Sequence, residues 1–337
     1  MFRHRINGAI LAVVAIALVL AFSACGDMSI SKLSANYHFA RANQLFKENQ
    51  YRKAITEYDL TLKSNPSMIQ AYRFLGESYK QLYKPGVSNP DNNDKRDKAL
   101  EALNKALAIE PNNKDIIYSL GDMYDKLRDF PKAEKLYLRI LELEPANMSN
   151  YYVLAEFYKR YAGEKKELAQ KAESMYLRRI EADPENPQGY AYAANYFETL
   201  PASSENIQGA IQNYDIGAQY WEKMIALRPN DATAWLSYGV NRFYRAYRFQ
   251  QNIPQEERLR VAQDCLRAIQ KAIELDPSYP EPYGHLSALY KAVLAKLEPE
   301  KEARYNAEAD KAAEKFQELR KRVIARKKLE EELKKTG

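Results

Sequence analysis

Apolar positions recur along this chain with a helical period, grouped in pairs of short segments. Leu120, Gly121 and Tyr124 fall on one helical face, and Ala133, Tyr137 and Ile140 follow at spacings of four and three on a second. Lys126–Pro131 supplies the turn between them, and Pro145 closes the pair because its ring clashes with a continuing helix. The geometry returns at fixed intervals. Pro66 to Gly76, Pro111 to Gly121 and Pro229 to Gly239 are ten residues each; Pro145 to Ala155, Pro184 to Ala194 and Pro277 to Ser287 repeat the interval with other small residues. Ala54, Ala99, Ala133, Ala172, Gly217 and Cys265 stand twelve residues before Pro66, Pro111, Pro145, Pro184, Pro229 and Pro277 respectively. Each interval of ten runs from the stop of one helix pair to the crossing point of the next. A small side chain there lets two backbones approach, and an aromatic fills the space beside it.

The pattern Leu120-Gly121, Tyr124, Ala133, Tyr137, Pro145 resembles a tetratricopeptide repeat at its 34-residue period, and Trp235 with Gly239, and Tyr72, Leu75, Gly76 and Tyr79, extend the match. The resemblance implies an all-α, right-handed superhelical solenoid of six to seven helix-turn-helix repeats over residues 35–298. The units end near Pro66, Pro111, Pro145, Pro184, Pro229 and Pro277, and a degenerate seventh carries Tyr283, Leu286, Ser287 and Tyr290. Successive terminal prolines lie 45, 34, 39, 45 and 48 residues apart, so most units exceed the usual period. The surplus must fall between the two helices of a unit, and Lys84–Arg96, Ala162–Leu168, Leu200–Gln208 and Phe249–Glu257 are the expected loops. They read either as tolerated edge loops or as a second contact surface. Over 299–337 the stripe Tyr305, Ala309, Ala312, Phe316, Leu319, Val323 predicts a charged closing helix that ends in a basic run from Arg320 to Lys328. That run reads as a solvated helix end, or as a contact for acidic headgroups.

Composition agrees with helix. The chain of 337 residues is 46% hydrophobic and 28% charged with only 12 glycines, a poor composition for a loop-rich β architecture. The N-terminus adds an address. A short basic start precedes fourteen uninterrupted apolar residues, Ala9–Phe22, too few to span a bilayer but suited to an export signal. Phe22-Ser23-Ala24-Cys25 resembles a bacterial lipobox, with Phe22 in place of the usual leucine. The reading is a signal peptide over 1–24, a lipid-modified (palmitate-bearing) Cys25, and a tether to residue 34; an uncleaved anchor or a plain secreted chain are the alternatives. Loss of Arg3 and Arg5 with the leader takes the formal charge from +6 to +4, too balanced to imply nucleic acid. With Cys25 acylated, Cys265 has no disulfide partner, and it stands where sister units have Ala or Gly, so a buried structural thiol is expected.

Catalytic signatures are lacking. No phosphate loop, nucleophile elbow, HExxH or paired CxxC occurs, and His38 and His285 have no neighbouring ligand residues that would make a metal site. The expectation is a non-enzyme without cofactor. A stack of helix pairs does offer a concave face lined by the first helix of each unit. The resemblance carries groove-facing roles to Arg73, Glu77 and Lys80 in the second unit and to Tyr118 and Asp122 in the third. It carries them also to Tyr152, Glu156, Lys159 and Arg160 in the fourth, and to Asn195, with Gln188 and Glu198, in the fifth. Mixed charge with interleaved tyrosine suits a surface that grips a protein segment. Phe39, Phe46, Leu236, Val240, Phe243 and Tyr244 are greasier, and read as internal contacts or as the surface of a homo-oligomer. Asn43 matches one position of the family's carboxylate clamp, but Phe39 replaces its lysine, so that clamp is not expected.

The combination is similar to lipid-anchored adaptors of cell-envelope machines: secretin pilotins, the repeat lipoprotein of barrel assembly, adaptors of peptidoglycan hydrolases. It implies protein partners at a bacterial membrane, with the outer membrane favoured because Gly26, not aspartate, follows Cys25. The rival is a glycan or peptidoglycan binder that uses some of the 26 tyrosines.

Overall fold

The computed structural model describes residues 30–163, 166–201 and 206–336. The leader and Cys25 lie outside the described residues. Every regular element among those described is helical, as the periodicity requires. The chain divides into two compact units between Leu154 and Ala155.

The first unit holds α1 (30–47), α2 (Tyr51–Ser64), α3 (Ile69–Leu82), α4 (Pro90–Ile109), α5 (Lys114–Lys126), α6 (Phe130–Leu143) and the start of α7 (Met148–Tyr161). From α2 to α6 each helix packs on the next in sequence. Small residues sit at the crossings for a steric reason. A Cβ on Gly76 would lie 2.6 Å from Leu103 Cγ, and one on Gly121 would lie 3.0 Å from Tyr137 Cε1. Ala42, Ala54, Tyr58, Ala71 and Leu75 form one core, with Phe39, Phe46 and Phe74 packed against it. Phe39 and Phe46 are therefore internal contacts, and Asn43 accepts a hydrogen bond from the Tyr58 hydroxyl at 2.8 Å.

The junctions between units have a local chemistry that the proline spacing alone did not reveal. In Glu110-Pro-Asn-Asn113 the Asn113 side chain accepts the N–H groups of Asp115 and Ile116 at 3.1 and 3.3 Å, and its amide donates to Glu110 at 2.6 Å. Asn147 and Asn186 repeat this arrangement with Glu144 and Asp183, both at 3.0 Å. One asparagine thus caps the new helix and ties it to the turn before it. Six residues after each of three prolines an aromatic donates back to the proline carbonyl: Tyr190 to Pro184 at 3.0 Å, Trp235 to Pro229 at 2.8 Å, Tyr283 to Pro277 at 3.1 Å.

The second unit continues α7 and adds α8 (Lys166–Ala182), α9 (Pro187–Thr199), α10 (Ile207–Leu227), α11 (Ala232–Arg248) and α12 (Gln255–Leu275). After α13 (Pro280–Leu289) come a π turn (Tyr290–Leu294), α14 (Ala295–Leu297), a 3-10 turn (Pro299–Lys301) and α15 (Glu302–Thr336). Leu236 and Phe243 are buried in the core of this unit, Val240 packs against it, and Tyr244 is exposed. Cys265 is fully buried at the α11–α12 crossing. The helix α15 packs on α13 through buried Ala309, Ala312 and Leu319, while residues 320–334 are all exposed.

The surplus residues are mostly not loops. Relative to the 34-residue unit of α5 and α6, the α3–α4 unit gains one residue in its first helix, four in the connection and six in α4, whose 20 residues compare with 14 in α6. Likewise α10 and α12 have 21 residues each. Lys84–Arg96 is therefore a loop only over residues 84–89, and the rest is helix. The reason is visible in Pro90-Asp-Asn-Asn: Pro90 takes a first-turn position, Asn89 accepts the Asn92 N–H at 2.8 Å, and helix formation starts there. The other expected loops shorten in the same way, with Leu168, Ile207, Gln208 and Gln255–Glu257 helical.

Candidate functional site

In the first unit the groove-facing residues of α3 and α5 meet as a ladder of ion pairs. Arg73 Nη1 lies 2.8 Å from Asp115 Oδ2, with its guanidinium 5.1 Å from the centre of the Phe74 ring. Two turns on, Lys80 Nζ sits 2.8 Å from Glu77 Oε2 and 2.7 Å from Asp122 Oδ2, with only 4% of the side chain exposed. Burial works to lower the Lys80 pKa, but the charges and hydrogen bonds of Glu77 and Asp122 outweigh it and hold the ammonium above its ordinary value. Three of the expected contact residues therefore bind one another, and Lys80 is not presented to an incoming partner.

What faces outward between these pairs is Tyr118, 46% exposed, and the half-open carboxylates of Asp115 and Asp122. The Tyr118 ring centre is 5.9 Å from that of buried Tyr137, the residue for which Gly121 leaves room. A crossing-point glycine thus props the exposed tyrosine from behind. The α3 and α5 faces carry Glu77, Asp115 and Asp122 against Arg73, Lys80 and Lys126, with Asp125 buried, so acid and base balance there in a chain that is basic as a whole. Tyr152, on the start of α7, is half-buried.

In the second unit the expected residues separate. Glu156 accepts a hydrogen bond from the Tyr176 hydroxyl and lies 3.5 Å from Lys159 Nζ. Arg160 lies over the Tyr161 ring at 6.0 Å, and exposed Asn195 donates to the Ala191 carbonyl at 2.8 Å. Glu198 is drawn inward: its Oε1 accepts from Trp221 Nε1 at 2.6 Å and from Asn241 Nδ2 at 2.7 Å. Burial pushes its carboxyl above the usual range, while those two hydrogen bonds and Arg242 pull the other way.

From Asn241 the network continues through Arg242 to Asp215 at 3.0 Å, and Arg245 bridges Asp215 and Glu257 at 2.7 and 2.6 Å. Sequence reasoning missed this cluster. Its signal was the run Asn241-Arg242 with Arg245 at three-residue spacing, on the helix that also carries Leu236, Val240 and Phe243. Beside it is a cavity of about 600 Å³ lined by Glu198, Ile207, Ala210, Tyr214, Arg248 and Phe249, so the added turns of α10 form part of its wall.

Two smaller clefts lie between second helices. Asp59, Leu62, Tyr72, Tyr79 and Lys98 line one of about 380 Å³ in the first unit. Glu222, Ile225, Trp235, Tyr238 and Asp264 line its counterpart of about 280 Å³ in the second. Counted from the unit prolines, Asp59 and Glu222, Leu62 and Ile225, Tyr72 and Trp235, and Lys98 and Asp264 are equivalent positions. Among the described residues no group of His, Cys, Asp and Glu is arranged to hold a metal, and no helix is long and apolar enough to cross a membrane.

The tetratricopeptide repeat family matches residues 93–156, from α4 into α7. The helix pairs around that stretch share its crossing geometry. The fold is a tetratricopeptide-repeat array. Among solved structures it is similar to the C-terminal part of a TPR repeat-containing protein from Cytophaga hutchinsonii, at 14% identity and a TM-score of 0.52 over 83% of this chain and 95% of that one. It is also similar to YrrB, described as a TPR protein with an unusual peptide-binding site, at 21% identity, TM-score 0.36, 65% of this chain and 95% of that one. MamA from residue 41 onward, of Desulfovibrio magneticus RS-1, aligns at 14% identity and TM-score 0.40 over 58% of this chain and 96% of that one. At these identities the likeness is one of fold. No curated protein sequence matches the chain.

Proposed function

We propose that this chain is a membrane-anchored adaptor. Acylation of Cys25 holds it at a bacterial membrane surface, the outer membrane facing the periplasm, and its repeats hold a segment of a cell-envelope protein. The supporting observation is the inner face of α3 and α5. Tyr118 is exposed there between carboxylates, and Arg73 and Lys80 are already neutralised by their neighbours. Such a face favours an extended polypeptide of basic or neutral character, with the ring supplying contact area at low entropic cost. Capture from solubilised envelope membranes, read by mass spectrometry, tests it. Tyr118→Ala and Asp115→Lys should each lower recovery of the same partner by roughly tenfold or more, as for a central contact residue, while circular dichroism stays that of the parent. Undiminished recovery contradicts this face as the site.

A second reading has its own observation. The paired clefts present half-buried aromatic rings beside carboxylates at equivalent positions, an arrangement that stacks on sugar rings. Binding of the protein to purified sacculi or polysaccharide, lost in Trp235→Ala and unaffected by Tyr118→Ala, would favour it over the adaptor.

A further inference from the structure

The helix α1 is apolar on two sides. Its inner side carries buried Ala35 and Ala42 and meets α2 through Ser31 with the Ser64 carbonyl, Ser34 with Ser64 at 3.3 Å, and His38 with Glu57 at 2.7 Å. On the opposite side Ile30, Leu33 and Tyr37 recur at spacings of three and four and are 69%, 73% and 60% exposed. Repeat arrays need a polar outer face on their terminal helices to stay soluble. Residues 320–334 of α15 hold ten charged side chains of both signs around exposed Ile324, Leu329 and Leu333. On α1 the exposed apolar residues form one strip with no acidic residue in the helix. Its charge is also one-sided: residues 30–47 hold Lys32, Arg41 and Lys47 and no Asp or Glu, in a chain with 45 acidic residues, although Arg41 is paired with Glu57 of α2 at 3.2 Å. A helix with an apolar strip, an interfacial tyrosine and cations alone fits the boundary of an anionic bilayer.

We propose that this outer face of α1 lies in the headgroup layer of an anionic membrane, with Ile30 and Leu33 reaching the acyl boundary. The inference rests on the anchored reading. Cys25 stands five residues before Ile30, at most about 17 Å of extended chain, so an acylated cysteine keeps the face against the lipid. The face would then fix which side of the first unit points at the membrane.

The test uses the full protein purified from its own membrane, with Leu33→Cys carrying a polarity-sensitive fluorophore. Cys265 is fully buried and does not compete for the label. In vesicles of phosphatidylcholine with phosphatidylglycerol, the fluorophore at 33 should shift to the blue and be quenched by nitroxide-bearing lipid, less so in phosphatidylcholine alone. A label at Lys327→Cys should stay water-like. A water-like signal at 33 in vesicle-bound protein overturns the proposal and leaves the anchor standing. A blue shift without vesicles that grows with protein concentration also overturns it, in favour of a second copy of this chain. Intact mass of the same preparation separately reports whether Cys25 is acylated, so failure of the anchor is distinguished from failure of the face.

Discussion

At Gly121 a single added methyl would meet Tyr137 at 3.0 Å, and at Gly76 it would meet Leu103 at 2.6 Å. Neither neighbour is a free chain end, so Gly76→Ala and Gly121→Ala should each cost about 1–3 kcal/mol of stability by overpacking, read from urea midpoints. Variants as stable as the parent would contradict the crossing-point account. Cys265 is fully buried and burial pushes its thiol pKa well up, so it should ignore thiol reagents until the protein unfolds; stoichiometric labelling of folded protein would contradict this. Glu198 offers a pH test. Its folded pKa is raised, chiefly by burial, so the folded state binds the extra proton and the ionised form is disfavoured. The stability tied to that proton is fully present below the ordinary glutamate value and is lost as pH rises through the raised folded value. Glu198→Gln keeps the acceptor for Trp221 and Asn241 and removes the charge. It should raise Tm relative to the parent at pH 8, with the difference closing toward pH 4; a gap independent of pH would count against buried charge as the cause.

Element by element, the long units show how much the spacing of prolines could carry. Prolines and small residues stand at helix ends and crossings, which geometry constrains tightly, so the order of the helix pairs and their crossing residues were legible. Where the surplus residues went was not. Asn92 shows why. It looked like one of several loop-forming residues in Lys84–Arg96, but it is buried, and its amide donates to the carbonyls of Lys84 and Val87 at 2.9 and 2.8 Å while its oxygen accepts the Lys84 N–H at 2.9 Å. It closes the short connection from inside the first turn of α4, a role that depends on tertiary position. Asn92→Ala, by leaving three backbone groups unpaired, should cost about 1–3 kcal/mol and speed proteolysis between residues 83 and 89. By contrast, residues 325–334 of α15 are all exposed, and truncation after Ile324 should move stability by less than about 0.5 kcal/mol. The candidate contacts had a similar fate. The resemblance implied a groove-facing place for Lys80 and Glu198, but Asp122 on α5 and the Asn241 amide on α11, invisible to single-helix spacing, draw them inward.

For the molecule as a whole, the described residues contain two packed helical arrays and an inner face in the first unit whose charges are largely satisfied among themselves. Affinity for a partner should therefore come from the aromatic and the outward carboxylates, with a modest dependence on salt, not from a field of free lysines and arginines. The direct test is a photo-reactive phenylalanine analogue placed at Tyr118 in living cells, with exposed Lys135 on α6 as the control position. The adaptor account predicts a discrete polypeptide adduct from position 118 that disappears when Asp115→Lys is added, and none from 135. Equal adducts at both positions, or only saccharide recovered from 118, would contradict it.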